Sequence, residues 1–483
     1  MKRLASLLVI FCLSFTGCAT LGPEYTRPEP DTAIPSGFLE AEGAATRPYT
    51  PSGNWWKEFD DPVLDRTVEK VLENNPDIRK AAASVMEAKA LARRTRAGQY
   101  PSLDFTTDAS RQGRYVENPL TGDTESTTTD SFSLAIPASF ELDLWGRLSG
   151  ATRAARADLL AAEENRRTVV QSLIAEAVTR YFTIRSIETR LSITRKMTET
   201  FRENLELVRA RYKRGLASIL DVRQARRSLA RSEARIPLLV QSAGTARQEL
   251  AVLAGSYPTA EKTEPTGRNT YKIPPPIPAG LPSDLVHRRP DIRSAEAALK
   301  AASERVGVAV ADRFPRITLT GSFGYTSEEL NLLLDPQSRL WKIASGLVQP
   351  IFDAGRLKAE QKAAEARYLQ QEAGYAKTVL DAFREVESAL LTRKQQTERL
   401  RRLQTLSDEA KATLETALDR YQRGLSGYIN VLDAQQANFE TRLDLVETRY
   451  NIFTNRVTLY RALGGGWDRM KTSNAPGQTG TGS

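Results

Sequence analysis

The sequence predicts an α-dominated protein with a smaller β part, in which one helix–hairpin–long helix–helix unit is used twice. Three observations carry this. Short markers recur in the same order at a nearly constant spacing. A stretch of about 65 residues runs without a helix breaker. Between the helical stretches lie short segments with strict apolar/polar alternation.

The markers fix the duplication. Arg211-Tyr212-Lys213-Arg214-Gly215-Leu216 returns 209 positions on as Arg420-Tyr421-Gln422-Arg423-Gly424-Leu425. Asn75-Pro76-Asp77-Ile78-Arg79 returns as Arg289-Pro290-Asp291-Ile292-Arg293. Tyr100-Pro101 returns as Phe314-Pro315, and Gly146-Arg147-Leu148 as Gly355-Arg356-Leu357. Markers in one order at one offset mean that a single structural unit was copied.

The N-terminus reads as a targeting signal. Lys2 and Arg3 precede an apolar run from Leu4 to Phe15, too short to span a membrane as a helix and of the right length for a signal peptide. It ends in Phe15-Thr16-Gly17-Cys18, which resembles the bacterial lipobox. That resemblance implies cleavage before Cys18 and a diacylglyceryl and N-acyl lipid on it. Ala19 rather than Asp after the cysteine favours sorting to the outer membrane of a Gram-negative cell. Cys12 leaves with the signal, so the mature chain keeps no disulfide and depends on packing and assembly.

Each element of the unit follows in order. Asn75 or Asp77 opens a first helix with Ile78, Ala81, Val85 and Ala88 on one face, and Pro101 stops it; Asp291 and Pro315 do the same in the second unit. Leu103, Phe105 and Thr107 begin a strand, and Phe132, Leu134, Ile136, Ala138, Phe140 and Leu142 form its return partner. Residues 112–130, rich in Ser and Thr, read as an exposed loop between them. In the second unit Ile317, Leu319, Phe323 and Tyr325 pair with Trp341, Ile343 and Leu347 around a loop at 326–339. A helix from Leu148 to Tyr212 follows, roughly 100 Å long. Its seam reads Tyr181, Ile184, Ile187, Leu191, Met197, Phe201, Leu205, Val208 and Tyr212, and in the second unit Val379, Phe383, Val386, Leu390, Ala410, Leu414, Ala417 and Tyr421. Gly215 and Gly424 end the long helices, and a returning helix closes each unit. In the second unit its seam, Ile429 to Tyr460, steps by three and four like a coiled coil. The chain thus divides into a signal peptide at 1–17, an extended segment at 18–60, repeats at 61–257 and 289–465, a linker at 258–288, and a disordered tail at 466–483.

Chemistry is excluded more readily than it is found. No phosphate-binding glycine loop, nucleophile elbow or metal-ligand spacing occurs. The sole histidine, His287, has no Cys or second His to join it and reads as a surface residue in an irregular linker. The formal charge of +9 is spread along helices among acids, which describes solvated faces rather than a nucleic-acid surface.

Four strands are too few to close a membrane barrel, whose edges must all be paired. Three copies supply twelve, and a symmetric ring closes. The expected product is a trimeric twelve-stranded outer-membrane β-barrel continuing into a periplasmic coiled-coil α-barrel. Two alternatives remain open: a lipid-anchored coiled-coil scaffold without a pore, and the duct of a type I protein secretion system.

Nearly the whole mature chain resembles the TolC-like outer-membrane factors, in their NodT-type lipoprotein branch. Gly22-Pro23-Glu24-Tyr25-x-Arg27-Pro28, then Trp55-Trp56-x-x-Phe59-x-Asp61-Pro62-x-Leu64, and the duplicated Arg-Tyr-x-x-Gly motif carry the likeness. It implies a non-enzymatic homotrimer that passively exports small molecules, such as drugs. Its implied partners are a periplasmic adaptor (membrane fusion protein) and an inner-membrane pump, most often of the RND class. It also implies a gate at the periplasmic tip near Gly215 and Gly424, with Asp221 and Tyr421 at the family's tip positions and Tyr212 and Arg423 beside them. Ser426 and Asn430 depart from the family's arginine and acid. Alternatively, Tyr212 and Tyr421 are seam knobs, and Asp221 is a charge favoured at a helix N-terminus.

Overall fold

The computed structural model describes residues 53–117, 122, 124–258 and 282–465, together with 21–23, 25–28, 35, 37–40, 273, 275 and 277–278. Cys18, the rest of the signal segment and the tail from 466 lie outside the described residues.

The last three helices of each repeat match in length. The first repeat holds α1 (Pro62–Asn74), α2 (Pro76–Ala97), α3 (Arg147–Lys213) and α4 (Ile219–Leu253). A short helix α5 (Pro282–Arg288) falls in the expected linker, and the second repeat holds α6 (Pro290–Ala311), α7 (Arg356–Gln422) and α8 (Tyr428–Ala462). Both long helices have 67 residues, and both returning helices have 35. An aspartate opens each long helix: Asp143 accepts from the N–H groups of Leu148 and Ser149, and Asp353 from those of Gly355 and Leu357. These bonds to backbone N–H, that of Leu357 foremost, hold the Asp353 carboxyl below its usual range. His287, expected in an irregular linker, is exposed on the short helix α5.

The strands are β1 (Ser102–Leu103), β2 (Thr106–Glu117), β3 (Thr124–Leu142), β4 (Arg316–Ser327) and β5 (Arg339–Val348). They form one antiparallel sheet in which β1 and β2 both pair with β3, followed by β4 and β5. The register passes unbroken from Leu103↔Ala138 to Thr106↔Ala135, so β1 and β2 are one strand interrupted opposite Pro137. Pro137 accepts from the Asp104 N–H at 3.1 Å but has no N–H to return, and the ladder lapses there. The expected loop at 112–130 is corrected. Here β2 and β3 stay paired out to Glu117↔Thr124, leaving only residues 118–123 between them. The polar Thr124–Thr129 run looks like a loop by hydrophilicity, but β-branched threonines fit a strand well.

Pairing puts Phe132, Leu134, Ile136, Phe140 and Leu142 on the same face as Tyr325, Phe323, Leu319 and Ile317 of β4 and Trp341, Ile343 and Leu347 of β5. The opposite face carries Asp104, Thr106, Asp108, Ser133, Ser139, Glu141, Thr318, Thr320 and Lys342. At Gly324 β4 lies so close to β3 that a Cβ would sit 2.1 Å from the Leu134 carbonyl oxygen.

The chain divides into two compact units, and neither is a repeat. One takes Met1–Glu29, Ser84–Glu163 and Ser294–Ala376; it contains the sheet. In it the signature residue Arg27 grips Glu296 of α6 with two hydrogen bonds of 2.7 Å. The other takes Pro30–Ala83, Glu164–Arg293 and Lys377–Ser483. Its core is aromatic: Trp55 stacks on Tyr460 at 4.8 Å, and Phe182 lies between Phe59 at 4.8 Å and Phe453 at 5.1 Å. The Trp55-Trp56-x-x-Phe59 block is therefore a core plug, held by the hydrogen bond from Tyr181 Oη to Asp61 at 2.6 Å. The paired Asn-Pro-Asp and Arg-Pro-Asp markers do one job. Asn75 Nδ2 donates to the Leu253 carbonyl at 2.8 Å, ending α4, and Arg289 Nη1 donates to the Ala462 carbonyl at 3.0 Å, ending α8.

Candidate functional site: the helical tip

In the helical unit the α3–α4 and α7–α8 turns come together around Leu205, Val208, Val222, Tyr421, Tyr428 and Leu432. Each turn has the same closure. Gly215 N–H donates to the Tyr212 carbonyl and Leu216 N–H to the Arg211 carbonyl, both at 2.9 Å. Gly424 and Leu425 repeat this on Tyr421 and Arg420 at 3.0 and 2.8 Å. This six-to-one closure needs a left-handed residue, and the two glycines supply it at φ 73° and 75°. In α4 Ser218 and Asp221 then form a capping box: Asp221 accepts from the Ser218 N–H at 2.9 Å, and Ser218 Oγ from the Asp221 N–H at 3.2 Å.

The two turns are locked by a residue that sequence reasoning passed over. The Arg211 guanidinium lies 4.7 Å from the centre of the Tyr421 ring, and its Nη1 donates to the Gln422 carbonyl at 3.0 Å. The Tyr421 ring in turn packs on Tyr428 at 5.3 Å. Burial, with a smaller contribution from the Asp221 charge, raises the pKa of both tyrosines. Arg211 was legible as part of the repeated Arg-Tyr motif, but nothing in the sequence shows which tyrosine it covers.

The expected gate residues separate. Tyr421 is 4% exposed and sits in the cluster, with Asp221 near enough to act on it. Tyr212, its repeat equivalent, is 46% exposed. Arg423, just past the end of α7, pairs with Asp419 four residues back at 2.9 Å, not with Asp221. The hydroxyls of Tyr428 and Ser426 are buried and find no hydrogen-bond partner among the described residues. A buried hydroxyl without a partner is costly.

No helix among the described residues is long and apolar enough to cross a membrane. The sheet is the membrane-grade element. One of its faces is apolar, the other is polar, and among the described residues its outer strands are each paired on one side only. A two-faced sheet with open edges and coiled-coil helices of roughly 100 Å define an outer-membrane channel subunit.

Comparison with known proteins agrees. The profile of the outer membrane efflux protein family matches residues 67–256 and 281–465. The chain is 35% identical over 468 residues to the solvent efflux pump outer membrane protein SrpC of Pseudomonas putida, covering 95% of this chain and 98% of that one. It is 34% identical over 470 residues to the cation efflux system protein CusC of Escherichia coli, with 96% and 99% covered. The structure of the outer-membrane channel OprN superposes with a TM-score of 0.87 at 31% identity, covering 93% of this chain and all (100%) of OprN. The protein belongs to the outer membrane efflux protein family and is an efflux exit duct of the outer membrane. Members of this family are trimeric channels that work with pump partners, not enzymes.

Proposed function

We propose that three copies of this chain form one passive, non-catalytic duct. Their sheets close a twelve-stranded barrel in the outer membrane, and their long and returning helices form a twelve-helix tube in the periplasm. The observation that carries this reading is the amphipathic sheet, whose outer strands are each paired on one side. In hydrocarbon the other sides must find strands, and identical copies supply them.

The duct receives small molecules from an inner-membrane RND-type transporter through a periplasmic adaptor. Cys18 carries the lipid anchor. The hydrogen bond from Leu21 N–H to the Trp145 carbonyl at 3.3 Å supports this, because it ties the chain just beyond Cys18 to the junction between β3 and α3. At rest the duct is closed at the helical tip. Tyr421 and Asp221 form the closing contact, Tyr212 and Arg423 flank it, and the turns at Gly215 and Gly424 carry it. The exposed Tyr212 ring, beside its buried repeat equivalent Tyr421, supports a contact completed by a neighbouring copy.

The test is complementation. An efflux-deficient Gram-negative host without its own duct receives this chain together with an RND pump and adaptor. Recovery of resistance only when all three are present is the expected result. No recovery, with trimers present in the outer membrane and all three proteins produced, would overturn the reading.

A further inference from the structure

A closed ring of three duplicated chains contains six similar units and two kinds of junction. One joins the first repeat to the second within a chain. The other joins the second repeat to the first repeat of the next chain. The units are homologous, so a contact seen at the first junction has a counterpart at the second, shifted by the 209-residue offset between Arg211 and Arg420.

The tip shows the first junction in full. Arg211 of the first repeat covers Tyr421 of the second and donates to the Gln422 carbonyl. Tyr421 and Tyr428 are thereby buried to 4% and 2% exposure. Their counterparts in the first repeat are Tyr212 and Ile219, which are 46% and 51% exposed. The counterpart of Arg211 is Arg420, which is exposed and makes no ion pair or ring contact among the described residues. A cation without a ring and a ring without a cation thus stand at the positions the duplication matches.

We propose that Arg420 of one protomer stacks on Tyr212 of the next protomer and donates to the carbonyl of its Lys213, making three identical seams around the tip. The occupant of the exposed Tyr212–Ile219 face is a second copy of this chain. Head-to-tail use of one surface pair also fixes the direction of the ring. The two junctions are not chemically equal. Asp221 and Tyr428 at the junction within the chain correspond to Asn430 and Ile219 at the junction between chains, so the latter lacks a carboxylate and a hydroxyl. This inference rests on the trimeric reading above, and its test separates the two.

Arg420→Cys and Tyr212→Cys are combined in the full-length protein and treated in isolated outer membranes with a short bis-maleimide. A linker is used because two long side chains meeting end to face leave their Cβ atoms too far apart for a direct disulfide. The expected result is loss of the monomer band on denaturing gels in favour of bands at two and three times its size. Neither single variant gives these bands. The intrachain pair, Arg211→Cys with Tyr421→Cys, shifts mobility but stays monomeric. Monomers only from the Arg420→Cys/Tyr212→Cys protein, with a trimer on native gels, would overturn the seam and leave the trimer standing. A wild-type protein that is not trimeric on native gels would overturn both.

Discussion

Truncation of Arg211 probes the tip most sharply. Arg211→Ala removes the stacking on Tyr421 at 4.7 Å and the hydrogen bond to the Gln422 carbonyl at 3.0 Å. The guanidinium is only half-buried, so both contributions are taken at the low end of their ranges. Stacking of a cation on an aromatic ring at such a site contributes about 1 kcal/mol. A charge-assisted hydrogen bond, discounted for solvent, adds about 1 kcal/mol. The loss is about 2 kcal/mol in each protomer, or about 30-fold in the equilibrium between hairpins drawn together and hairpins apart. In the proposed gate this contact exists only when the hairpins are together. Single-channel recording at fixed salt should therefore show Arg211→Ala trimers spending far more time at high conductance than wild type. Arg211→Lys, which keeps the charge without the planar fork, should fall between them. Indistinguishable conductance histograms from assembled Arg211→Ala trimers would refute the reasoning, because the contact would then persist in both states.

Three further outcomes are expected. Cys18→Ser should abolish labelling by radioactive palmitate and leave an altered precursor, whereas undiminished label would remove Cys18 as the anchor. An epitope inserted at Gly122, in the connection between β2 and β3, should be detected by antibody on intact cells; its absence at normal protein levels would mean that the hairpin does not reach the exterior. Arg289→Met leaves the Asp291 and Glu385 carboxylates beside a lost guanidinium that bonded both at 2.6 and 2.9 Å. The cost should be about 3–5 kcal/mol, lowering the unfolding temperature seen by near-UV circular dichroism by roughly 4 °C, with part of it recovered by adding Glu385→Gln. An unchanged melting temperature would show that the Arg289 network is not structural.

Much of this was legible in the sequence, because periodicity survives any assembly. The long helix expected from Leu148 to Tyr212 runs from Arg147 to Lys213, and the strand alternation around Phe132–Leu142 is the two-faced sheet itself. What periodicity cannot tell is which copy does the covering. Tyr212 and Tyr421 occupy one position in the repeat and both continue an apolar seam, yet only Tyr421 is covered within the chain. The β2–β3 extension was hidden because hydroxylated, β-branched residues are polar by composition and strand-forming by shape. Arg423 is expected beside Asp221 and Tyr421 at the tip, but a spacing of four gives it Asp419 as a local partner. The two compact units cut across the repeats because the hairpins of both repeats pair into one sheet, a pairing that no local pattern records.

The central claim is that copies of this chain make one pore that is narrowest at its helical tip. Planar-bilayer recording of the purified full-length trimer, beside a trimer carrying Asp221→Ala and Tyr421→Phe, tests it directly. The account predicts discrete insertion steps of one small size for the wild type and distinctly larger steps for the double variant at the same salt. Electrically silent bilayers from both proteins, despite intact trimers on native gels, would contradict it.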